Sequence, residues 1–261
     1  MMTTDIATPG RNTESRSKAL LLERFARQAG RGIHRFHMIV PGDKVLIGVS
    51  GGKDSLALSL ALVERKKWVP VDYELFAMQI EWREYPLSEE EKAAVDRFYA
   101  ELGIPFRRVL ASMCPPSFKK KFSCYTCSRN RKRLLFDEAA RIGATRIALG
   151  HHLDDIARTT LMNLFFRGEF STMMPVQEFF GGKLSIIRPL CEVREAEVNR
   201  LATRLSLPIL ESRCPNATKN QRLLMKEILR QASRVDRHAA TNVYGAAWRI
   251  NRKYLPEQAE E

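Results

Sequence analysis

The chain has 261 residues and a net charge of +13, from 43 lysines and arginines against 30 acidic residues. With 44% hydrophobic and 28% charged residues, its composition is that of a globular protein with a sizeable core, and no apolar run is long enough to cross a bilayer. The positive charge favours anionic partners, of which nucleic acid is the commonest, although a basic solvated surface would give the same excess.

The first residues and the cysteine count bear on the compartment. Residues 1–19 are polar and lack the apolar core of a secretory signal peptide, so we expect a disordered tail over residues 1–18. The five cysteines are an odd number, which argues against a disulfide scaffold. We therefore expect a reducing, cytoplasmic compartment, in which thiols are structural groups, metal ligands or catalysts.

Hydrophobic spacing predicts an N-terminal helix, a turn at Pro41–Asp43, and then strands that alternate with helices. The predicted helices are 18–38, 55–67, 88–102, 130–142, 155–166, 195–205 and 220–237, and the predicted strands are 44–49, 71–80, 106–110, 146–149 and 184–187. This alternation predicts a doubly wound α/β fold, a parallel sheet covered by helices on both faces. The predicted segments are a disordered tail (1–18), an N-terminal helix (19–40), the α/β domain (41–190) and a helical C-terminal region (191–261).

The most informative segment is Ser50–Ser55, which follows a predicted strand and opens a predicted helix. Backbone amides at such a turn, next to the partly positive start of a helix, favour phosphate. Gly51 and Gly52 let a ligand approach the backbone, Lys53 supplies a mobile cation, and the two serines supply hydroxyl donors. An ordinary glycine turn capped by serine is the alternative.

The segment is not a Walker A loop, because Asp54 stands where that motif needs Ser or Thr and Ile47 where it needs Gly. It resembles the SGGKDS signature of the PP-loop ATP pyrophosphatases at all six positions. Members of that family cleave ATP between the α and β phosphates and leave AMP on the substrate, so the resemblance implies an ATP site over Ser50–Ser55.

Cys124 and Cys127 stand three positions apart, a spacing at which both thiolates can reach one metal or cluster. A redox dithiol is the competing interpretation, but the thioredoxin pattern around it is missing. A zinc site would need two more ligands, and no second pair or finger-spaced histidine is present. Cys214, in a predicted loop before a helix, is the natural third ligand, whereas we expect Cys114 and Cys191 to be structural thiols.

The run Gly150–Asp155 follows a predicted strand at its carboxyl end, the edge of an α/β sheet at which ligands bind. Asp154 and Asp155 could hold Mg²⁺ against phosphate oxygens, or one of them could only cap a helix. We expect the acidic pair to be functional, and the weaker signals of His151 and His152 are divided evenly between a functional and a structural role.

Basic residues cluster at two places. One face of the last predicted helix carries Arg222, Lys226, Arg230 and Arg234, and the cysteine pair is flanked by Lys119, Lys120, Lys121, Arg129, Arg131, Lys132 and Arg133. Solvated surface is the usual explanation, but two basic stretches beside a candidate site favour contacts with a phosphate backbone. Nearby aromatic residues could stack on a base or pack in the core.

From about Leu21 to Leu229 the sequence resembles the tRNA 2-thiocytidine synthetases, a PP-loop family. The matching motifs are Met38-Ile39 with Gly42-Asp43, Ser50–Ser55, Cys124–Arg129, Gly150–Asp155, Ile187–Leu190, and Cys214 eight residues before Arg222. The resemblance implies an adenine nucleotide alpha hydrolase-like fold. It also implies a [4Fe–4S] cluster held by three cysteines, here Cys124, Cys127 and Cys214, with a fourth iron open to sulfide.

The resemblance implies a reaction as well: ATP activates C2 of a tRNA cytidine, expected at position 32 of the anticodon loop, and sulfur replaces the oxygen. The sulfur would come from a cysteine desulfurase or from free sulfide, and a homodimer is one option for the assembly. The implied site has catalytic residues Lys53, Asp54, Asp154, Asp155 and Lys132 (taken from the run Arg131–Arg133), with Ser50, Gly51, Gly52, Lys53, Asp54, Ser55, Gly150 and His151 around the nucleotide and Mg²⁺.

One position departs from the family pattern. The family has Glu-Thr shortly after the His-Asp motif, where this chain has Arg158-Thr159. Arg158 in place of an acid either alters the binding of Mg²⁺ or forms an ion pair with another acid. The change puts the identity of the substrate in doubt more than the cleavage of ATP. Three alternatives stay open: thiolation of a tRNA uridine, another PP-loop ligase such as a lysidine-type synthetase, and a non-catalytic tRNA-binding protein.

Overall fold

The computed structural model describes residues 9–114, 123–211, 213–214 and 221–255, with side chains from Thr13 onward. In chain order the elements are α1 (Pro9–Arg35), β1 (Asp43–Val49), α2 (Lys53–Lys66), β2 (Tyr73–Trp82), α3 (Glu89–Leu102), β3 (Phe106–Ala111), α4 (Cys124–Ile142), β4 (Arg146–Ala148), α5 (Leu153–Arg167), β5 (Val176–Phe179), β6 (Leu184–Ile187), α6 (Glu195–Arg204), α7 (Gln221–Val235), α8 (Ala239–Ala246) and a 3₁₀ turn (Arg252–Tyr254). Among the described residues, no helix is long and apolar enough to cross a membrane.

The described residues fall into two compact units. The first comprises the chain up to His152 together with Pro175–Cys214, and the second comprises Leu153–Met174 together with Gln221–Leu255. This grouping differs from the predicted division at residue 190, because α5 is grouped with α7 and α8 rather than with the sheet.

The first unit is built on a six-stranded sheet with the order β3-β2-β1-β4-β6-β5. All neighbouring strands are parallel except β5, which pairs antiparallel with β6. Strand β1 is central, and its Ile47 lies opposite Ala77 on one side and Ala148 on the other. The chain moves outward from β1 to β2 on one side and later returns to β4 on the other, so the carboxyl ends of β1 and β4 form the switch point where α/β sheets bind ligands.

Apolar side chains from the sheet and its helices form the core of the first unit. One cluster joins the sheet to α4 and consists of Leu46, Met78, Leu135, Ala139, Ala144, Ile147, Leu184 and Ile186. Burial on this scale removes a large apolar area from water and fixes the strand ends from which the site projects. The predicted α/β architecture with a mostly parallel sheet is confirmed.

The second unit is helical. Helices α5, α7 and α8 contact one another, and α8 contributes buried Ala240 and Tyr244. After α5 the chain is fastened by side-chain hydrogen bonds, in which Thr160 Oγ1 donates to Thr172 Oγ1 at 2.8 Å and Asn163 Nδ2 donates to a Ser171 oxygen. On α7, Met225 and Leu229 are buried, as its amphipathic pattern predicts.

Three element boundaries differ from the sequence prediction. Helix α1 begins at Pro9 rather than at residue 18 or 19, so only residues 1–8 of the expected tail lie outside the described residues. Helix α4 begins at Cys124 rather than at residue 130, and the antiparallel strand β5 and helix α8 were not predicted. The predicted N-terminal helix is present, and α3 begins with a capping box formed by Ser88 and Glu91.

Candidate active site

The segment Ser50–Ser55 forms a tight loop between β1 and α2. Gly52 is the N-cap of α2, and no side chain caps this helix end. The two serines brace the loop internally, because Ser50 Oγ accepts from the Gly52 amide at 3.2 Å and Ser55 Oγ donates to the Gly52 carbonyl at 2.9 Å. A helix start without a side-chain cap presents amide donors and a partial positive charge, which suits an anionic ligand.

Two glycines in and beside the loop are required by close packing. Gly51 has a φ of +80°, and a Cβ on it would lie 2.6 Å from Leu210 Cδ1. A Cβ on Gly150, after β4, would lie 2.8 Å from the backbone carbonyl group of Asp54. A larger residue at either position would therefore push the loop away from its neighbours.

Lys53 is the first residue of α2, and carboxylates hold its ammonium. Its Nζ lies 3.0 Å from Asp54 Oδ1 and 3.6 Å from Glu195 Oε1, in the first turn of α6. Its side chain is 25% exposed, so the charge is partly shielded but accessible. Glu195 was not singled out in the sequence, since only the fold brings it to the loop.

The motif after β4 also reaches the loop. His152 is buried, and its Nε2 lies 3.8 Å from Asp54 Oδ1, an ion pair only when the histidine is protonated. His151 precedes it and is partly exposed. The loop, Gly150 and both histidines thus belong to one edge of the first unit, at the β1–β4 switch point.

Asp154 and Asp155 lie in the first turn of α5, within the second unit. Asp154 is buried at 9% exposure, and Asp155 Oδ1 lies 3.3 Å from Arg158 Nη1 on the next turn. Arg158, the residue that departs from the family pattern, therefore pairs with an acid. The role of the two aspartates as Mg²⁺ ligands stays a prediction.

The cysteine pair begins helix α4. Ser123 caps the helix by accepting from the Thr126 amide at 3.1 Å, while Thr126 Oγ1 accepts from the Ser123 amide at 2.9 Å. Cys124 is exposed and Cys127 is buried. Because the two thiols are three residues apart on a helix, they lie on the same face, one turn apart.

Leu210 and Arg213, which precede Cys214 in the chain, contact the phosphate loop and the start of α3. The Leu210 amide donates to the Gly51 carbonyl at 2.9 Å, and Arg213 pairs with Glu91 at 2.8 Å and donates to the Pro86 carbonyl. Burial raises the pKa of the Cys127 thiol, the charge of Arg131 opposes that shift, and Cys214 and Cys124 add to it. The three predicted ligands therefore share one electrostatic neighbourhood.

Three cysteines are donors of the type that an iron–sulfur cluster takes, and their assignment as ligands stays a prediction. Among the described residues, no group of three Cys, His or acidic side chains is close enough to hold one metal ion. Two thiolates on one tetrahedral zinc would lie about 3.8 Å apart, given bonds of about 2.3 Å. A [4Fe–4S] cluster binds each thiolate on a different iron, so it needs sulfurs that are near one another but more widely spaced.

The three basic side chains of the run Arg131–Arg133 have different partners. Arg131 acts on Cys127 and lies over the Trp82 ring at 5.7 Å, and Arg133 pairs with Asp137 at 2.9 Å. Lys132 lies 4.0 Å from the centre of the Phe179 ring. Burial and the charge of Arg188 lower the pKa of Lys132.

Arg188 belongs to the matching motif Ile187–Leu190 but was given no role from the sequence, and it directly follows β6 at the carboxyl edge of the sheet. It is 7% exposed, and burial lowers its pKa to about 10, so it keeps its charge at neutral pH. Arg188 and Lys132 together place two cations in a partly dehydrated environment, where charge interactions are stronger than in water.

The predicted basic stretches are resolved only in part. On α7, Arg222, Lys226, Arg230 and Arg234 are exposed, and Arg230 pairs with Glu227 at 2.5 Å. The stretch Lys119–Lys121 lies outside the described residues. Cys191 is buried, as expected of a structural thiol, and Cys114 is half-buried.

Comparisons with known proteins agree with this geometry. Residues 21–232 match the PP-loop domain family. The tRNA-cytidine(32) 2-sulfurtransferase of Alkalilimnicola ehrlichii is 32% identical over 245 residues, which are 91% of this chain and 76% of that protein. The enzyme of the same name from Burkholderia lata is 31% identical over 243 residues, 90% of this chain and 72% of that one.

A solved structure shares the fold. The U34-tRNA thiolase NcsA of Methanococcus maripaludis, with its [4Fe–4S] cluster, matches with a TM-score of 0.72 and 22% identity. The match covers 93% of this chain and 82% of that one. It shows that the α/β architecture described above is shared with that protein.

Proposed function

The chain belongs to the PP-loop family and, within it, to the tRNA-cytidine 2-sulfurtransferases, and we propose that it uses ATP to replace the C2 oxygen of a tRNA cytidine, at position 32 of the anticodon loop, with sulfur. The observation that carries the proposal is the Leu210–Cys214 segment. Leu210 donates to the Gly51 carbonyl of the phosphate loop, and Cys214 contributes to the electrostatics of the Cys127 thiol on α4, which supports a shared site. Nucleotide activation and sulfur delivery would thus use neighbouring parts of one unit.

The ATP phosphates would bind at the start of α2. The amide donors at this helix end and the ammonium of Lys53 provide positive charge for the phosphates. Lys53 would exchange Asp54 and Glu195 for phosphate oxygens. Asp54 would hold Mg²⁺, because carboxylates are the oxygen ligands that this ion takes beside phosphates.

The reaction would proceed in two displacements. The C2 oxygen of the cytidine attacks the α phosphorus, an O–P bond forms, and the bond to the β phosphate breaks, so that pyrophosphate leaves. Hydrosulfide then attacks C2, the C2–O bond breaks, AMP leaves with the oxygen, and the sulfur loses its proton. ATP is needed because an adenylate is a far better leaving group than an oxide.

Cys124, Cys127 and Cys214 would hold a [4Fe–4S] cluster, which supplies a binding place for the incoming sulfide. Lys132 and Arg188 would stabilise the negative charge that develops as pyrophosphate leaves, since their partial burial strengthens that interaction. The base must be unstacked from its neighbours, because a protein cannot reach C2 from above within a stacked helix.

The products of ATP cleavage test the proposal. Anaerobically prepared protein with tRNA, sulfide and ATP should release AMP and pyrophosphate. Lys53→Ala should lower the rate about 100- to 1000-fold, because it removes a positive donor from the transferring phosphates. The matched control is Lys44→Ala at the opposite end of β1, which should keep the wild-type rate, since Lys44 lies away from the phosphate loop and pairs with Glu74 at 3.5 Å.

Release of ADP and phosphate instead of AMP and pyrophosphate would refute cleavage between the α and β phosphates. An equal loss in Lys53→Ala and Lys44→Ala would refute the assignment of Lys53. Cleavage at the wild-type rate without any tRNA would point to another PP-loop ligase.

A further inference from the structure

A basic pocket lies between α1 and α2, in the first unit and away from the phosphate loop. Its volume is about 470 Å³, and its lining consists of Arg27, Gly30, Arg31, His34, Arg65, Trp68 and Val69. Three arginines and one histidine thus face a common space, and the described residues that line it include no acid. Such a lining selects an anion.

The arginines differ in how far their charge is already neutralised. Arg27 pairs with Glu23 at 2.7 Å and lies 5.4 Å over the ring of Trp68. Arg31 is exposed and forms no ion pair with any described acid. Arg31 therefore carries a positive charge that the described part of the chain leaves uncompensated.

Arg65 gives the pocket a buried cation. It is 8% exposed, and its Nη1 has no hydrogen-bond partner among the described residues. The backbone of α1 lies over its guanidinium, since a Cβ on Gly30 would lie 3.7 Å from Arg65 Nε. A buried guanidinium nitrogen without an acceptor is unfavourable, and an anion in the pocket would compensate its charge.

The pocket is separate from the ATP site. Arg65 is in the last turn of α2 and Lys53 in the first, and at 1.5 Å per residue this places them about 18 Å apart along the helix. One nucleotide bound at the phosphate loop does not bring its phosphates to the other end of the helix. The anion must therefore come from a different ligand or from a long one.

We propose that this pocket binds a phosphate of the tRNA backbone and so anchors the substrate at a distance from the reacting base. The inference rests on the proposed function, because it takes tRNA as the long anionic substrate. Arginine is suited to this role, since its guanidinium matches the geometry of phosphate oxygens. A backbone contact of this kind fixes position without reading sequence.

The test compares two neutralised arginines on the same helix. Arg31→Gln should weaken tRNA binding roughly three- to tenfold and lower the slope of log Kd against log salt by about one, because one phosphate contact is lost. Arg24→Gln is the matched control, two turns earlier on α1, exposed and outside the pocket. It should leave both quantities close to wild type. Fluorescence anisotropy with labelled tRNA measures them.

Other outcomes would overturn the inference. Equal weakening by both substitutions would indicate a diffuse field rather than a pocket, and wild-type binding by Arg31→Gln would exclude a contact with tRNA. Calorimetry with inorganic phosphate distinguishes the source, since binding that is lost in Arg31→Gln while tRNA affinity is kept would identify a free-phosphate site.

The proposed function fails separately. If Arg31→Gln weakens tRNA binding selectively but the wild-type protein forms no thionucleoside, the pocket stands and the sulfurtransferase assignment does not. If the wild-type protein thiolates tRNA but Arg31→Gln and Arg24→Gln bind tRNA equally well, the sulfurtransferase assignment stands and the pocket does not.

Discussion

Arg158 shows how one side chain changes the local electrostatics of a conserved-looking motif. Its guanidinium lies 3.3 Å from Asp155 and compensates part of the charge of the acidic pair at the start of α5. The resemblance implies an acid at this position, so the Arg158–Asp155 ion pair departs from the implied pattern.

The clearest prediction for a single residue concerns Lys132. Burial and the charge of Arg188 lower its pKa, so it loses its proton at a lower pH than the usual 10.5 of a lysine. If pyrophosphate release needs the protonated amine, its rate should be at its maximum at neutral pH. The rate should then fall as the pH rises, with a midpoint below the usual lysine pKa of 10.5. Lys132→Met should reduce the rate of pyrophosphate release at neutral pH by about 10- to 100-fold and abolish this alkaline fall.

Two comparisons check that assignment. Arg188→Met removes a neighbouring positive charge, so the pKa of Lys132 should rise and the alkaline fall should move to higher pH. Lys183→Met changes an exposed lysine in the β5–β6 turn and should leave the profile unchanged. The role of Lys132 is refuted if its replacement by Met leaves the pH–rate profile intact.

Among the elements, helix α4 carries Cys124 and Cys127, and Cys214 lies in the segment that follows Leu210. If these three cysteines hold the cluster that the resemblance implies, anaerobic protein should contain about four irons and four acid-labile sulfides per chain, the content of one [4Fe–4S] cluster. Serine at any of the three positions should remove most of the iron.

Cys191→Ser is the control for that experiment, because Cys191 is buried next to Arg188 rather than near the cysteine pair. It should keep the iron and the brown colour. Stoichiometric zinc without acid-labile sulfide in anaerobic protein would contradict the cluster, as would full iron content after removal of Cys214.

The sequence predicted the elements whose signals are local. The Ser88–Glu91 capping box defines the start of α3, and alternation of strands with helices was enough to predict the sheet. The start of α4 was wrong by six residues because its cap uses Thr126 in place of the usual Glu or Gln. Strand β5 was missed because its four residues depend on pairing with β6.

The site was predictable to a similar extent. Contiguous motifs such as Ser50–Ser55 could be recognised in the sequence, because all of their functional groups lie on neighbouring residues. The contacts Lys53–Glu195 and Gly51–Leu210 join residues far apart in the chain, so only the fold reveals them. The same holds for Arg188, whose burial and effect on Lys132 have no local signature.

For the whole molecule, the structure shows where some of the basic residues behind the net charge of +13 lie. Part of it lines the pocket between α1 and α2, part is exposed on α7, and part lies beside the cysteine pair. A protein that contacts an RNA backbone at several places should bind it with a steep salt dependence. The composition alone could not separate this distribution from an ordinary basic surface.

The central claim, thiolation of a tRNA cytidine, is tested most directly by mass spectrometry of nucleosides from tRNA of cells with and without this gene. The account predicts that 2-thiocytidine disappears with the gene, returns with the wild-type gene, and does not return with Lys53→Ala or Cys214→Ser. Loss of a thiolated uridine with 2-thiocytidine unchanged would contradict the cytidine assignment while keeping the chemistry. An unchanged set of thionucleosides would contradict the sulfurtransferase function itself.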